Sequence, residues 1–114
     1  MPYIKSGDGR REALQQGEPA LLAGELNYQI FFHFKHYYVN LPMEEIKKFV
    51  DNFLGEKPNY QRYNDMTGAL IRCYIELKRR LNIDAEELIN LCADYDDEIA
   101  KYEDLKCKEN GDVE

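Results

Sequence analysis

An all-α fold, a helical bundle of about four helices with an irregular N-terminal arm and a frayed acidic C-terminal tail, is predicted by three features of the sequence. Apolar residues return at steps of three and four through the stretches 22–41, 43–54, 63–77 and 85–102. Glycine and proline stand between or before those stretches, at Gly17, Pro19, Pro42, Gly55 and Pro58, where they end or start helices. Helix-terminal chemistry is present too: Asp84 and Glu87 have capping-box spacing, and Lys78, Arg79 and Arg80 close a long helical pattern. With 114 residues, 44% of them hydrophobic, the chain suits one domain, 1–114, with a modest core that needs no disulfide or metal.

The first nine residues contain Pro2, Gly7 and Gly9 without periodicity and read as the irregular arm. Arg10 to Gln16 reads as a short helix ended by Gly17. The aromatic helix follows, from about Gly24 to Asn40, with Leu22, Leu26, Ile30, Phe34, Tyr37 and Leu41 on one strip and Phe31 and Tyr38 beside it. An apolar arc that wide predicts a central helix or a subunit interface, and hence a homodimer through this helix. Pro42 suits the first turn of the next helix, because its missing N–H would be unpaired there in any case. That helix carries Met43, Ile46, Phe49, Val50, Phe53 and Leu54 on its inner side and stops at Gly55.

Past Lys57-Pro58-Asn59 a long helix starts between Tyr60 and Asn64 and runs to about Leu81, with Tyr63, Met66, Leu70, Cys73 and Leu77 inward and Arg72 and Glu76 spaced as an i,i+4 pair. Gly68 costs about 1 kcal/mol relative to alanine in a helix interior, which predicts close packing of another backbone against it. Asp84 as N-cap, Glu87 at N3 and an Ile83–Leu88 staple predict the start of the next helix. Its seam runs Ala85, Leu88, Cys92, Tyr95, Ile99 and Tyr102, packed antiparallel on the preceding helix. Beyond Asp104 the pattern fades, and 105–114 reads as loop or tail.

The formal net charge of −7 is a C-terminal property: residues 84–114 hold twelve acids and three lysines, residues 1–83 twelve bases and ten acids. This balance opposes non-specific nucleic-acid binding, which relies on cations at phosphates. It suits a solvated helix face, or else an acidic surface for a basic partner. Cys73, Cys92 and Cys107 are odd in number and lack metal-ligand or disulfide spacing, as in a cytoplasmic protein with reduced thiols. The start lacks an apolar signal region and no run is long enough to span a bilayer, so no membrane attachment is expected.

Catalytic motifs are absent from the sequence: there is no GxGxxG, GxxxxGK[ST] or GxSxG, and no Cys/His pair in a recognisable context. His33 and His36 have the spacing to share a metal, but no set of partner ligands accompanies them. Asp94, Asp96, Asp97 and Glu98 fail as a calcium loop, because the sixth position is Ile99 where a glycine is needed. All-α nucleotide pyrophosphohydrolases hold Mg²⁺ on paired helix-face acids; here Glu25 and Glu76 are isolated and Glu86 and Glu87 belong to a helix start. No metal or cofactor is expected. Glu25, Asn27 and Tyr28 at the head of the aromatic helix, with Arg79 and Arg80 ending another, suggest a pocket for a small anionic ligand if those ends converge.

Several segments resemble a family of short bacterial, archaeal and phage proteins to which no activity is assigned. They are Met1-Pro2-Tyr3-Ile4-Lys5, Gly24-Glu25-Leu26-Asn27-Tyr28, Tyr63-Asn64-Asp65 with Gly68-Ala69-Leu70, Glu76 with Arg79-Arg80, Tyr102-Glu103-Asp104 with Lys106, and Glu109 to Val113. The resemblance departs at 42–57 and 82–100, which look like insertions into a shorter plan. It implies that any shared function involves Glu25, Asn27, Arg79, Arg80, Glu103, Asp104 and the Asn110-Gly111-Asp112 turn. The expected function is a non-enzymatic binding or interaction module with a protein partner or small anionic ligand; the alternative is a nucleotide-binding protein, including an all-α phosphohydrolase.

Overall fold

A computed structural model describes residues 9–37 and 43–111, the side chain of Lys106 apart. Residues 1–8 of the predicted nine-residue arm, the end of the aromatic helix with Pro42, and residues 112–114 lie outside that range. All regular structure among the described residues is helical: α1 Arg10–Gln15, α2 Ala23–Tyr37, α3 Met43–Leu54, α4 Tyr60–Leu81, α5 Glu86–Asp94 and α6 Asp96–Asn110. The all-α class holds, with six helices in place of about four.

α4 is the axis on which the others are assembled. Asn59 caps it, its side chain accepting from the Arg62 N–H at 2.8 Å. At the other end Asn82 takes the left-handed conformation (φ 55°), and the Asn82 and Ile83 N–H groups return to the Lys78 and Leu77 carbonyls at 3.1 and 3.2 Å. α2 runs parallel to α4, since its partners advance with it: Leu21 O accepts from Arg62 Nη1 at 2.7 Å, Asn27 O lies 3.9 Å from Cys73 Sγ, and Phe31 sits under Arg80. α3 returns between them and stops at Gly55, whose φ of 76° a side chain would strain. Arg62 ties that stop to α4, donating from Nε to Phe53 O at 2.8 Å with its guanidinium 3.8 Å from the Phe53 ring centre.

Most predicted inward positions are buried. Leu26, Ile30 and Phe34 of α2 meet Ile46, Phe49, Val50 and Phe53 of α3, and Tyr63, Met66, Leu70, Cys73 and Leu77 of α4. Burial pushes the Cys73 thiol well above its ordinary range, so it packs as an apolar group. The apolar arc of α2 is largely consumed inside the chain; Leu22 and Tyr37, predicted inward, are 66% and 52% exposed.

Four expectations are corrected. α5 begins at Glu86 with Ala85 at the cap and no side-chain cap bond, so Asp84 caps nothing. Burial of Ala85 and a tight Leu88 N–H to Ala85 O bond of 3.0 Å set the start one residue late, and Ile83 and Leu88 both pack in or against the core. The seam from Ala85 to Tyr102 is followed in burial, but its helix breaks at Tyr95 (φ −100°, ψ 2°). Asp96, Asp97 and Glu98 are exposed, as expected of a solvated helix face, and they fill the first turn of α6, where the helix dipole favours them. Tyr95 itself is held by donating its hydroxyl to Asp51 of α3. α6 then persists to Asn110, past the expected tail boundary, because residues such as Glu103, Leu105, Lys108 and Glu109 favour helix without needing a buried face. Finally, Arg72 and Glu76 do not pair: Glu76 is 2% exposed, whereas Arg72 faces solvent.

Candidate functional site

The start of α2 is fixed by an ion pair that periodicity does not reveal. Glu25 accepts from Arg10 Nε at 2.6 Å and Nη2 at 2.8 Å, and from the Leu21 N–H at 2.9 Å. The Arg10 guanidinium holds the Glu25 carboxyl down to about 2. Arg10 also bonds Glu18 at 3.3 Å and the Pro19 carbonyl at 3.0 Å, so Glu25 anchors α1 and the connecting turn. Gln29 completes the join, donating from Nε2 to the Leu14 and Glu18 carbonyls at 2.8 and 2.9 Å.

With α1 placed, one strip of α2 becomes the floor of a groove. Tyr28, Phe32 and His36 follow one another at i,i+4 spacing, which puts their rings on one helix face. Tyr28 and Phe32 stack at 6.3 Å with 27° between planes, and Phe32 and His36 lie 4.3 Å apart. Gln15 Nε2 donates to the Tyr28 hydroxyl at 2.9 Å and fixes that ring. Arg11 of α1 approaches the Tyr28 ring at 5.7 Å, and Arg80, from the last turn of α4, approaches Phe31 at 5.2 Å. The groove encloses about 330 Å³ and is lined by Arg11, Tyr28, Phe31, Phe32, Lys35, His36 and Arg80.

Chemically this is an aromatic surface ringed by three basic side chains and an imidazole in a chain of net charge −7. Among the described residues its lining holds no carboxylate and no hydroxyl or thiol nucleophile other than the Tyr28 phenol. Such a surface offers charge to an anion and ring faces to a planar group. His33 does not join it; it packs on Phe49 at 4.6 Å, and burial lowers its pKa. Among the described residues no group of three or more His, Cys, Asp or Glu side chains is placed to hold a metal ion.

The structure divides the residues the sequence singles out. Tyr28 and Arg80 meet in the groove, whereas Glu25 is consumed by Arg10. Asn27 is buried and lines a different cleft, between α2 and α4. Arg79 is exposed beside the groove without lining it. Glu103 and Asp104 are exposed on α6, next to Tyr102, which bonds the Pro58 carbonyl at 2.7 Å and packs on Tyr63 at the start of α4. Arg79 lies sixteen positions beyond Tyr63 on α4, about 24 Å at the helical rise, so the acidic pair and the arginines stand at opposite ends. Arg11, Lys35 and Phe32 join the groove without a motif that marks them in the sequence. The Tyr28–Phe32–His36 spacing was a readable signal for the floor, but nothing local marks Arg11 as its neighbour. No helix of the described residues is long and apolar enough to cross a membrane. No family model, curated protein or solved structure matches the chain.

Proposed function

We propose that the protein is a non-enzymatic binding module that takes an anionic ligand with a planar or apolar part in the groove between α1, α2 and the end of α4. The observation that carries this reading is the convergence of Arg11, Lys35 and Arg80 from three helices around the rings of Tyr28, Phe31 and Phe32. Lys35 and Arg80, both exposed at the groove, supply charge to an anion, and the rings supply a face for its planar part. A volume of about 330 Å³ is enough for a small molecule or for one or two side chains of an acidic segment. The alternative retained from the sequence, a nucleotide-handling protein, has some support in the same features, since a base can stack where phosphates meet arginine and lysine. Hydrolysis is less well supported than binding, because Mg²⁺ chemistry needs carboxylates and the described lining supplies none. The resemblance to short bacterial, archaeal and phage proteins adds Tyr28 and Arg80 as shared positions and leaves the ligand open.

Calorimetric titration with nucleoside triphosphates, inorganic pyrophosphate and an acidic peptide tests the reading at low and moderate salt. Binding of at least one probe should weaken as salt rises, and Arg80→Ser, at an exposed position, should weaken it about tenfold without unfolding the chain, the loss of a charged hydrogen bond or ion pair. Heat from the triphosphate alone selects the nucleotide alternative. No heat from any probe overturns the proposal.

A further inference from the structure

Gly68 stands in the interior of α4, where glycine weakens a helix relative to alanine. The sequence suggests a backbone packed against it, but a Cβ built there meets nothing within 4 Å, and the position is exposed. Nor does its backbone adopt the left-handed conformation that would require glycine. What its missing side chain leaves open is a cleft of about 370 Å³ between α2 and α4, with Gly24, Gly68 and Ala69 as small surfaces and Asn27, Asp65 and Arg72 as polar ones.

The polar groups are incompletely used. Asn27 is 2% exposed; its Nδ2 has the Ala69 carbonyl at 3.5 Å, the outer limit of a hydrogen bond, and its Oδ1 has no partner. A buried oxygen left unsatisfied gains from any N–H donor that reaches it. Arg72, left without Glu76, forms no ion pair among the described residues. Asp65 is half-buried and accepts from Gln61 Nε2 at 2.9 Å through Oδ1. A cation, an anion and an unpaired acceptor therefore stand around a surface low enough for a ligand's own backbone to approach.

We infer that this cleft binds a small zwitterion of the α-amino acid class, its carboxylate on Arg72 and its nitrogen shared between Asp65 and Asn27 Oδ1. A guanidinium matches a carboxylate in two parallel hydrogen bonds, which fixes the ligand's orientation. The same carboxylate and neighbouring N–H occur at a peptide C-terminus, where the nitrogen is uncharged. The cleft shares no lining residue with the cationic groove, so the two sites stand or fall separately.

The test is calorimetric titration of the full chain with the individual free L-amino acids, with their N-acetyl derivatives and with their carboxamides. Free amino acids should bind and carboxamides should not. Tighter binding by the N-acetyl derivatives would assign the cleft to a peptide end and overturn the free amino acid as ligand. Arg72→Gln, at an exposed position, should weaken binding at least tenfold. Gly68→Ala should weaken it as well while melting no lower than the parent, because its methyl group enters open space. Arg80→Ser should leave this binding unchanged, whatever it does in the groove. Absence of binding to the parent at millimolar ligand overturns the inference, as does binding that survives both substitutions. A mass in sedimentation that Gly68→Ala alone reduces would assign the small-residue face to a second copy and overturn it equally.

Discussion

Glu25 is best understood as a support for the groove, and its chemistry can be separated from ligand binding by pH. Its side chain is mostly enclosed, 14% exposed, and makes a two-point contact with Arg10. The folded chain holds its carboxyl at about 2, against an ordinary value of 4.5. A depressed carboxyl contributes its stability above the unfolded value, and that contribution is lost as pH falls through the folded one. Glu25→Gln should therefore destabilise the protein at pH 7 by about 1–2 kcal/mol, a figure reduced for partial solvent screening. The difference from the parent should shrink between pH 4.5 and about 2, as denaturant midpoints across that range would read. A gap unchanged over the window would mean that the carboxylate charge is not what joins α1 to α2. Sequence reasoning could nominate Glu25, but not this role, because its partner lies fifteen residues away in a segment with no periodic signal.

Helix ends show where local sequence is decisive and where burial overrides it. Asn59 and Asp84 both have side chains suited to capping, and only Asn59 forms the bond. Asn59→Ala should cost about 1 kcal/mol, whereas Asp84→Ala should stay within about 0.5 kcal/mol, the range of an uninvolved surface position. Paired chemical denaturation curves would check this, and equal losses would restore the capping box. Ala85 decides the difference: it is fully buried, and drawing it inward displaces Asp84 from the first turn. The interiors of α2, α3 and α4 were legible because a buried stripe imposes its period on the sequence. The break at Tyr95 was not, because inward residues continue through it and only the backbone and the tyrosine hydroxyl depart. The last turns of α6 were missed for the converse reason, since an exposed helix needs no apolar pattern.

Across the whole molecule, charge and apolar surface are divided along the long axis of α4. Arg11, Lys35 and Arg80 surround the groove toward its C-terminal end, while Glu98, Glu103 and Asp104 face solvent on α6 near its start. The separation was half legible: the C-terminal acidity is plain in the sequence, but the cations converge only after α1 and the end of α4 are brought to one face of α2. The same assembly changes the expectation of a dimer. A wide aromatic arc predicts an interface, yet Leu26, Ile30, Phe31 and Phe34 are buried within one chain, and among the described residues the large apolar side chains left exposed are spread over the approach to α2 and over α2, α4, α5 and α6. Leu21 and Leu22, 62% and 66% exposed, adjoin each other at the start of α2, too few to form a stable interface by themselves. Sedimentation equilibrium at high micromolar concentration should therefore give the mass of a single chain in moderate salt. If a dimer forms and Leu22→Glu dissolves it, the head of α2 is the contact. If a dimer survives that substitution, its contact lies elsewhere, and the exposed strip of α4 with Ile71 and Ile75 becomes the surface to alter next.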